Sequence, residues 1–386
     1  MKPSLRAQAV APMELAKLQR LGRSGSLDIA LGIPPGDPPA AVVEAAVSAL
    51  REGRHQYADT AGLSELRAVI AADALRTHGV VVDPDTEITV TVGATEALLT
   101  ALLTVTDPGD EVLLFEPYFE LYPGIVELAG AVPRFVRLEA PDWRLTEEAL
   151  TRVLSPRTRA VVLNTPHNPT GRVFDAQELD LLMNLCQERG IVCVTDEVYD
   201  CTVFDGRRHL SPLAMPGARP TSVIVGSLSK KAQMTGWRIG YCIADPEMTE
   251  VLRRIHEHTT VGTNHPLQSG ASALKVSDVL DGRALFQDRR DELVAGLSSL
   301  GFTVRPPEGG WFVFAGTEAL GWPARTLSRR LAESAGVLVA PGSPFFQRPE
   351  DGNRWIRTTF VRGAETTRAA LDRIAAFLAA EAPPSV

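Results

Sequence analysis

The stretch EITVTVGATEALLTALLTV, residues 87–105, reads as two elements joined without a loop. EITVTVG is a strand rich in β-branched residues, and ATEALLTALLTV has the composition and spacing of a helix. Such a strand-to-helix joint is the unit of a sheet covered by helices, so the next question is whether it recurs. DEVLLFEP (110–117), AVPRFVRL (131–138) and RAVVLNTP (159–166) read as further strands. AQELDLLMNLCQERG (176–190) is an amphipathic helix stopping at Gly190, followed by the strands IVCVTDE (191–197), TSVIVGS (221–227) and RIGYCIAD (238–245). Upstream, AAVVEAAVSALREG (40–53) and LSELRAVIAADALRTHG (63–79) are helices, each closing at a glycine. Strands that alternate with helices and read apolar on both faces predict an α/β fold with a mostly parallel central sheet.

After about residue 278 the character changes, with LVAGLSSLGFTVRPPEGGWFVFAG (293–316) and a last helix, TRAALDRIAAFLAAEA (367–382). The expected organisation is a large domain over 38–278 and a smaller α+β domain over 279–386. The N-terminal segment, 1–37, is expected to join the smaller one. A chain of 386 residues, 45% of them hydrophobic, can bury a core of that size.

Bulk properties exclude several function classes. A formal net charge of −8 without long blocks of one sign argues against nucleic acid as a partner. No apolar run of about 18 residues is present to span a membrane. The N-terminal stretch lacks the apolar core of a signal peptide, so a cytoplasmic protein is expected. The four cysteines form no C-x-x-C pair and read as reduced core thiols. His256 and His258, two apart on a helix, point to different faces and make no metal pair. Neither a Walker A loop nor a G-x-S-x-G elbow is present.

Ligands of such sheets bind at the carboxyl ends of the strands. Four polar clusters stand there: GATEA (93–97), NTPHNPTG (164–171), DEVYD (196–200) and SLSKKAQMTGWRIGY (227–241). A desolvated lysine loses basicity and becomes a nucleophile able to form a Schiff base. Hydroxyls beside an arginine, facing a helix N-terminus, make a phosphate seat. Phosphate, imine and carboxylate chemistry on one sheet edge points to pyridoxal 5′-phosphate.

SLSKKAQMTGWRIGY resembles the S-x-S-K…G-W-R-x-G segment of fold-type I, class I/II aminotransferases, and the likeness extends over nearly the whole chain. It implies an enzyme that moves an amino group between an amino acid and a 2-oxo acid by a ping-pong mechanism. The spacing to Ser227 and Arg238 selects Lys230 as the catalytic lysine, with Lys231 a solvated neighbour. By the same resemblance Asp196 pairs with the pyridine nitrogen, where a carboxylate keeps the ring an electron sink. Asn168 and Tyr199 bond the ring oxygen, and Asn168 also borders the substrate. Ala94, Thr95, Ser227, Ser229 and Arg238 hold the phosphate, and Phe119 stacks on the ring. Tyr57, in HQYADTAGL, reaches the phosphate of a neighbouring subunit, which implies a homodimer with shared sites. Arg357 in RWIRTTF clamps the substrate carboxylate, and Gly32 belongs to the substrate loop. His167 is expected to be structural.

ALGIPPGDPPA (30–40) departs from the family's spacing in that loop. The positions where dicarboxylate-specific relatives carry a cation are Thr95 and Thr259 here. An unpaired buried carboxylate costs several kcal/mol, so a neutral, aromatic or basic amino acid is expected rather than aspartate. The same scaffold also supports elimination and cyclisation. A ligand-sensing regulator would need a DNA-binding domain, and only about 30 residues precede the pattern here.

Overall fold

The structure is a computed structural model describing residues 2–384. Its strands, in chain order, are β1 (Leu27–Asp28), β2 (Ile88–Val92), β3 (Glu111–Glu116), β4 (Val132–Arg137), β5 (Thr158–Asn164), β6 (Val192–Asp196), β7 (Ser222–Ser227) and β8 (Ile239–Ile243). They continue as β9 (Thr303–Val304), β10 (Phe312–Gly316), β11 (Val337–Leu338), β12 (Ala340–Pro341) and β13 (Trp355–Thr359).

Seven strands form one sheet in the order β2-β8-β7-β6-β5-β3-β4. β7, β6, β5, β3 and β4 pair in parallel, whereas β8 runs antiparallel to both of its neighbours, β2 and β7. The expected α/β class with a mostly parallel sheet is what the chain forms. The one reversed strand has a consequence for the site. Because β8 points the other way, its amino end lies at the sheet edge that carries the carboxyl ends of the rest.

Alternation along the strands explains why both faces are covered. Val112, Leu114, Val162 and Val194 face the helix Gly93–Val105, packing with its Ala97, Leu98, Ala101 and Leu102. Leu113, Phe115, Val161 and Cys193 face the opposite way, toward Leu179, Leu182 and Met183 of the helix Ala176–Arg189. Each such aliphatic side chain contributes about 1.5–3 kcal/mol on full burial, so neither face tolerates a charge. The second helix starts at a reciprocal capping box between Asp175 and Glu178 and stops at Gly190, left-handed at φ 64°.

A second, antiparallel sheet has the order β12-β13-β10-β9, and β1 pairs in parallel with β11. The chain after β1 threads back toward β13, where the Thr359 N–H donates to the Ile29 carbonyl. Cys186, Cys193 and Cys242 are buried, Cys201 is partly so, and all four are free. Among the described residues no helix is long and apolar enough to cross a membrane.

Candidate active site

A cavity of about 210 Å³ opens where β2, β5, β6 and β7 end and β8 begins. Ten of the side chains singled out in the sequence line it. Ala94 and Thr95 come from the first turn of the helix Gly93–Val105 that follows β2, Phe119 from the segment after β3, and Asn168 from the turn after β5. Asp196 ends β6 and Tyr199 follows it, while Ser227 ends β7 and Ser229, Lys230 and Arg238 belong to the β7–β8 connection. The pieces are far apart in sequence and share one rim.

One end of the cavity is built for an anion. Gly93 opens the helix Gly93–Val105 at φ 72°, and a Cβ there would fall 2.3 Å from the Arg238 guanidinium. The missing side chain is therefore what admits that guanidinium beside the free N–H groups of the first turn. Arg238 itself sits in the left-handed region at φ 55°, a strained conformation for a residue with a Cβ. Ser229 Oγ is buried without a hydrogen-bond partner. Ser227 Oγ donates to the Ile239 carbonyl and accepts from the Ser229 N–H, tying the two strands together. Glu96 would oppose an anion at this helix end, but it is turned away. Its carboxylate takes the Val92 N–H and lies 2.6 Å from His256 Nδ1.

The other end is built for a cation. Asp196 is buried, and that burial pushes its carboxyl up to about 6. The hydroxyl of Tyr122 donates to its Oδ2 at 2.8 Å, and the Val198 N–H donates to its Oδ1 at 3.3 Å. A carboxyl buried at such a cost would be ionised by a cation placed beside it. Tyr122 was missed in the sequence reading. Its position in FEPYFELY, three after Phe119, was the available signal, since Phe119 and Tyr122 meet edge to face at 5.6 Å.

Lys230 stands between these ends. Its Nζ lies 4.5 Å from the centre of the Trp311 ring and 5.8 Å from that of Tyr199. Burial, and after it the charge of Arg238, brings its ammonium down to about 8. Lys231 corrects an expectation. It is not solvated but buried, 1% exposed, with its Nζ 2.6 Å from both Asp73 Oδ2 and Asp200 Oδ2. Successive residues of the short helix Leu228–Lys231 point in different directions, and one of them points into the protein.

Arg357, on β13, does not line the cavity but reaches its edge through Asn168, whose Oδ1 accepts from Arg357 Nη1 at 2.9 Å. Nη2 donates to the Ala30 carbonyl at 3.1 Å, and Nε has no partner. The guanidinium lies over the Phe312 ring at 4.0 Å and near Phe345 at 4.8 Å. Burial lowers it to about 10, which leaves it charged at neutral pH. Gly32 touches the same wall, where a Cβ would fall 2.8 Å from the Phe312 ring. Tyr57 lies outside, 83% exposed. His167 is buried, with Nδ1 2.7 Å from Thr170 Oγ1.

A buried lysine of lowered basicity stands between an arginine at a helix N-terminus and a buried carboxylate, an arrangement suited to amino-group chemistry. The family model described as aminotransferase class I and II matches residues 25–377, and the chain belongs to that family: it is an aminotransferase acting on amino acids and 2-oxo acids. It is 36% identical to the probable N-succinyldiaminopimelate aminotransferase DapC of Mycobacterium tuberculosis, over 91% of this chain and 92% of that protein. With the methionine aminotransferase of Escherichia coli it shares 32% identity over 90% of this chain and 91% of the other. An aspartate aminotransferase of Geobacillus stearothermophilus is likewise 32% identical, over 97% and 96%. The solved structure of the Mycobacterium tuberculosis N-succinyldiaminopimelate aminotransferase superposes with a TM-score of 0.92 at 35% identity, covering 97% of this chain and all of that one.

Proposed function

We propose that this aminotransferase uses pyridoxal 5′-phosphate held by the residues of this cavity, and that it works as a homodimer. The observation that carries the reading is the amine of Lys230, buried without a carboxylate partner, between Asp196 at one end and Ser229, Arg238 and the helix N-terminus at the other. The orphan Ser229 hydroxyl and the glycine cradle at Gly93 fit a phosphate. When bound, the cofactor supplies a carbonyl carbon for imine formation and a ring that accepts the electrons released at the substrate Cα.

The chain's own residues then have separate tasks. Lys230, with its ammonium lowered to about 8, has a usable fraction of free amine near neutral pH. It anchors the cofactor between turnovers and, once displaced, takes the proton from the substrate Cα and returns it. Asp196 pairs with the ring nitrogen, and Asn168 and Tyr199 bond the ring oxygen. Ala94, Thr95, Ser227, Ser229 and Arg238 form the phosphate seat, and Phe119 covers the ring. Arg357 grips the substrate carboxylate with its two-pronged fork, and Gly32 keeps that wall open. Exposed Tyr57 is free to enter a second subunit's site.

For the donor we infer a neutral, aromatic or basic amino acid rather than aspartate. Thr95 and Thr259 carry no charge, and Thr259 Oγ1 bonds Glu96. Beyond Thr95 and Leu121 lies a wider cavity of about 440 Å³ whose charged lining is Glu14, Glu120, Glu127 and the single cation Arg325. A negative balance there favours a neutral or cationic side chain. The relatives' names include methionine and aspartate enzymes, so they do not choose.

Half-reaction spectroscopy tests the whole reading. The purified protein, mixed with single amino acids in the absence of an oxo acid, should lose its pyridoxal absorption and gain that of the pyridoxamine form. Aspartate converting fastest of the panel would overturn the donor assignment, and absence of any bound chromophore would overturn the cofactor.

A further inference from the structure

Directly behind the candidate site lies a second polar cluster that the transamination chemistry does not use. It joins three stretches distant in sequence: the end of the helix Ser64–His78, the turn carrying Glu197 and Asp200, and the loop around His209. His209 Nε2 is 2.8 Å from Glu197 Oε2. His78 Nε2 lies 3.8 Å from that same oxygen and 3.7 Å from Asp200 Oδ2. All four side chains are 5% exposed or less.

The two longer separations are too great for hydrogen bonds. His78 Nδ1 has no partner either, and His209 Nδ1 and Asp200 Oδ1 are also without one. Glu197 is hydrogen-bonded to His209 and Ser211, but buried imidazoles are ordinarily paired too, so the unpartnered His78 beside these carboxylates needs an explanation. Spacing supplies it. Metal–ligand bonds of about 2.0–2.2 Å place neighbouring ligands of a tetrahedral ion roughly 3.3–3.6 Å apart. The ligand atoms of His78, Glu197 and His209 all lie within 4.8 Å of one another.

Charge points the same way. Asp73, Glu197 and Asp200 are buried carboxylates, and the cations in contact with them, besides the two histidines, are Lys231 and the half-exposed Arg76. With both imidazoles uncharged, as metal ligands must be, one negative charge is left over where burial makes it costly. A solvent path exists as well, a cavity of about 300 Å³ lined by Thr77, His78, His209 and Ser211.

We propose that His78, His209 and Glu197 bind one divalent ion of the zinc class, with Asp200 in reach as a fourth ligand. Two imidazoles and a carboxylate are a zinc donor set. The ion would clamp the helix end to the turn bearing Asp196 and Tyr199, and so stiffen the cofactor side of the sheet edge from behind.

Zinc alone is the probe. Untagged protein as purified, dialysed against a chelator, is titrated with Zn²⁺ by calorimetry. One ion per chain should bind, and His78→Ala should weaken that binding by about 100-fold or more, since even outer partners of a ligand are worth 10–100-fold. His78 makes no hydrogen bond that its loss would break, so the variant should keep the wild-type circular dichroism. Equal affinity in wild type and His78→Ala overturns the proposal, as does uptake seen only while cofactor is bound. If His78→Ala fails to fold, the wild-type titration still decides, because no stoichiometric uptake overturns the site. Co²⁺ in place of Zn²⁺ should give visible bands of a low-symmetry site that His209→Gln changes.

Discussion

Lys230 and Lys231 occupy adjacent positions, yet one faces the cavity with Trp311 at 4.5 Å and the other is wedged between Asp73 and Asp200 at 2.6 Å. Both lose water. For Lys230 that loss is uncompensated by contact with a carboxylate, and its ammonium falls to about 8. For Lys231 burial pulls in the same direction, but Asp200, Tyr241 and Asp73 hold its ammonium well above the usual lysine range. The carboxylates repeat the contrast. Burial raises Asp196 to about 6, whereas Glu197, equally buried, is held below its usual range by His209, His78 and Ser211. Chemistry sits where charge is left uncomfortable, and Lys231 and Glu197, one step behind it, are held by direct partners. The two differ in partners rather than in depth.

Lys230→Ala should give the largest change. Transamination should fall by on the order of 10⁴-fold or more, because both the covalent anchor and the proton carrier are lost. Its circular dichroism and melting temperature should match the wild type. A variant with normal turnover would move the catalytic role elsewhere.

Lys231→Ala should do the reverse. Removing Lys231 leaves buried Asp200 without its lysine and Asp73 with only the half-exposed Arg76, and breaking a buried ion pair typically costs about 3–5 kcal/mol. Denaturant unfolding should show that loss, and a variant as stable as the wild type would dissolve the contrast.

Asp196→Asn gives the smallest effect and sharpens the comparison most. A carboxyl whose folded pKa is about 6, against 3.8 unfolded, contributes stability that is complete below pH 3.8 and lost as pH rises through 6. Asparagine does not titrate. Cofactor-free Asp196→Asn should therefore be more stable than the cofactor-free wild type at pH 7, by about 3 kcal/mol at most, while losing activity. The gap should close below about pH 4. A variant destabilised at pH 7 would show that Asp196 is paired in the scaffold like Glu197.

The strand-and-helix order was legible because each strand is a contiguous apolar run, and both sheet faces can be read from one stretch such as Leu113 and Leu114. Ser229, Lys230 and Arg238 were legible because they share the one short connection between β7 and β8. Lys231 was not, since its partner Asp73 stands 158 residues away and no local pattern announces it. His78 and His209 escaped for the same reason. The reversal of β8 was also hidden, because direction is set by the length and packing of a connection rather than by periodicity.

The two glycines at the joint between helix and β8 have a consequence for inheritance. A Cβ on Gly240 would lie 2.3 Å from the Gly93 carbonyl carbon and 2.5 Å from the Ala94 nitrogen, while a Cβ on Gly93 would enter the Arg238 guanidinium. At Gly240 backbone abuts backbone and nothing can yield; at Gly93 the guanidinium end could move only by leaving the anion seat, and φ 72° strains any residue with a Cβ. No order of single steps leads away from the pair, since each first step collides before the second can relieve it. A one-carbon change, silent in charge and in hydropathy, would be read by the cell as a null allele. Among missense variants of this gene, alanine at either glycine belongs with the loss-of-function class.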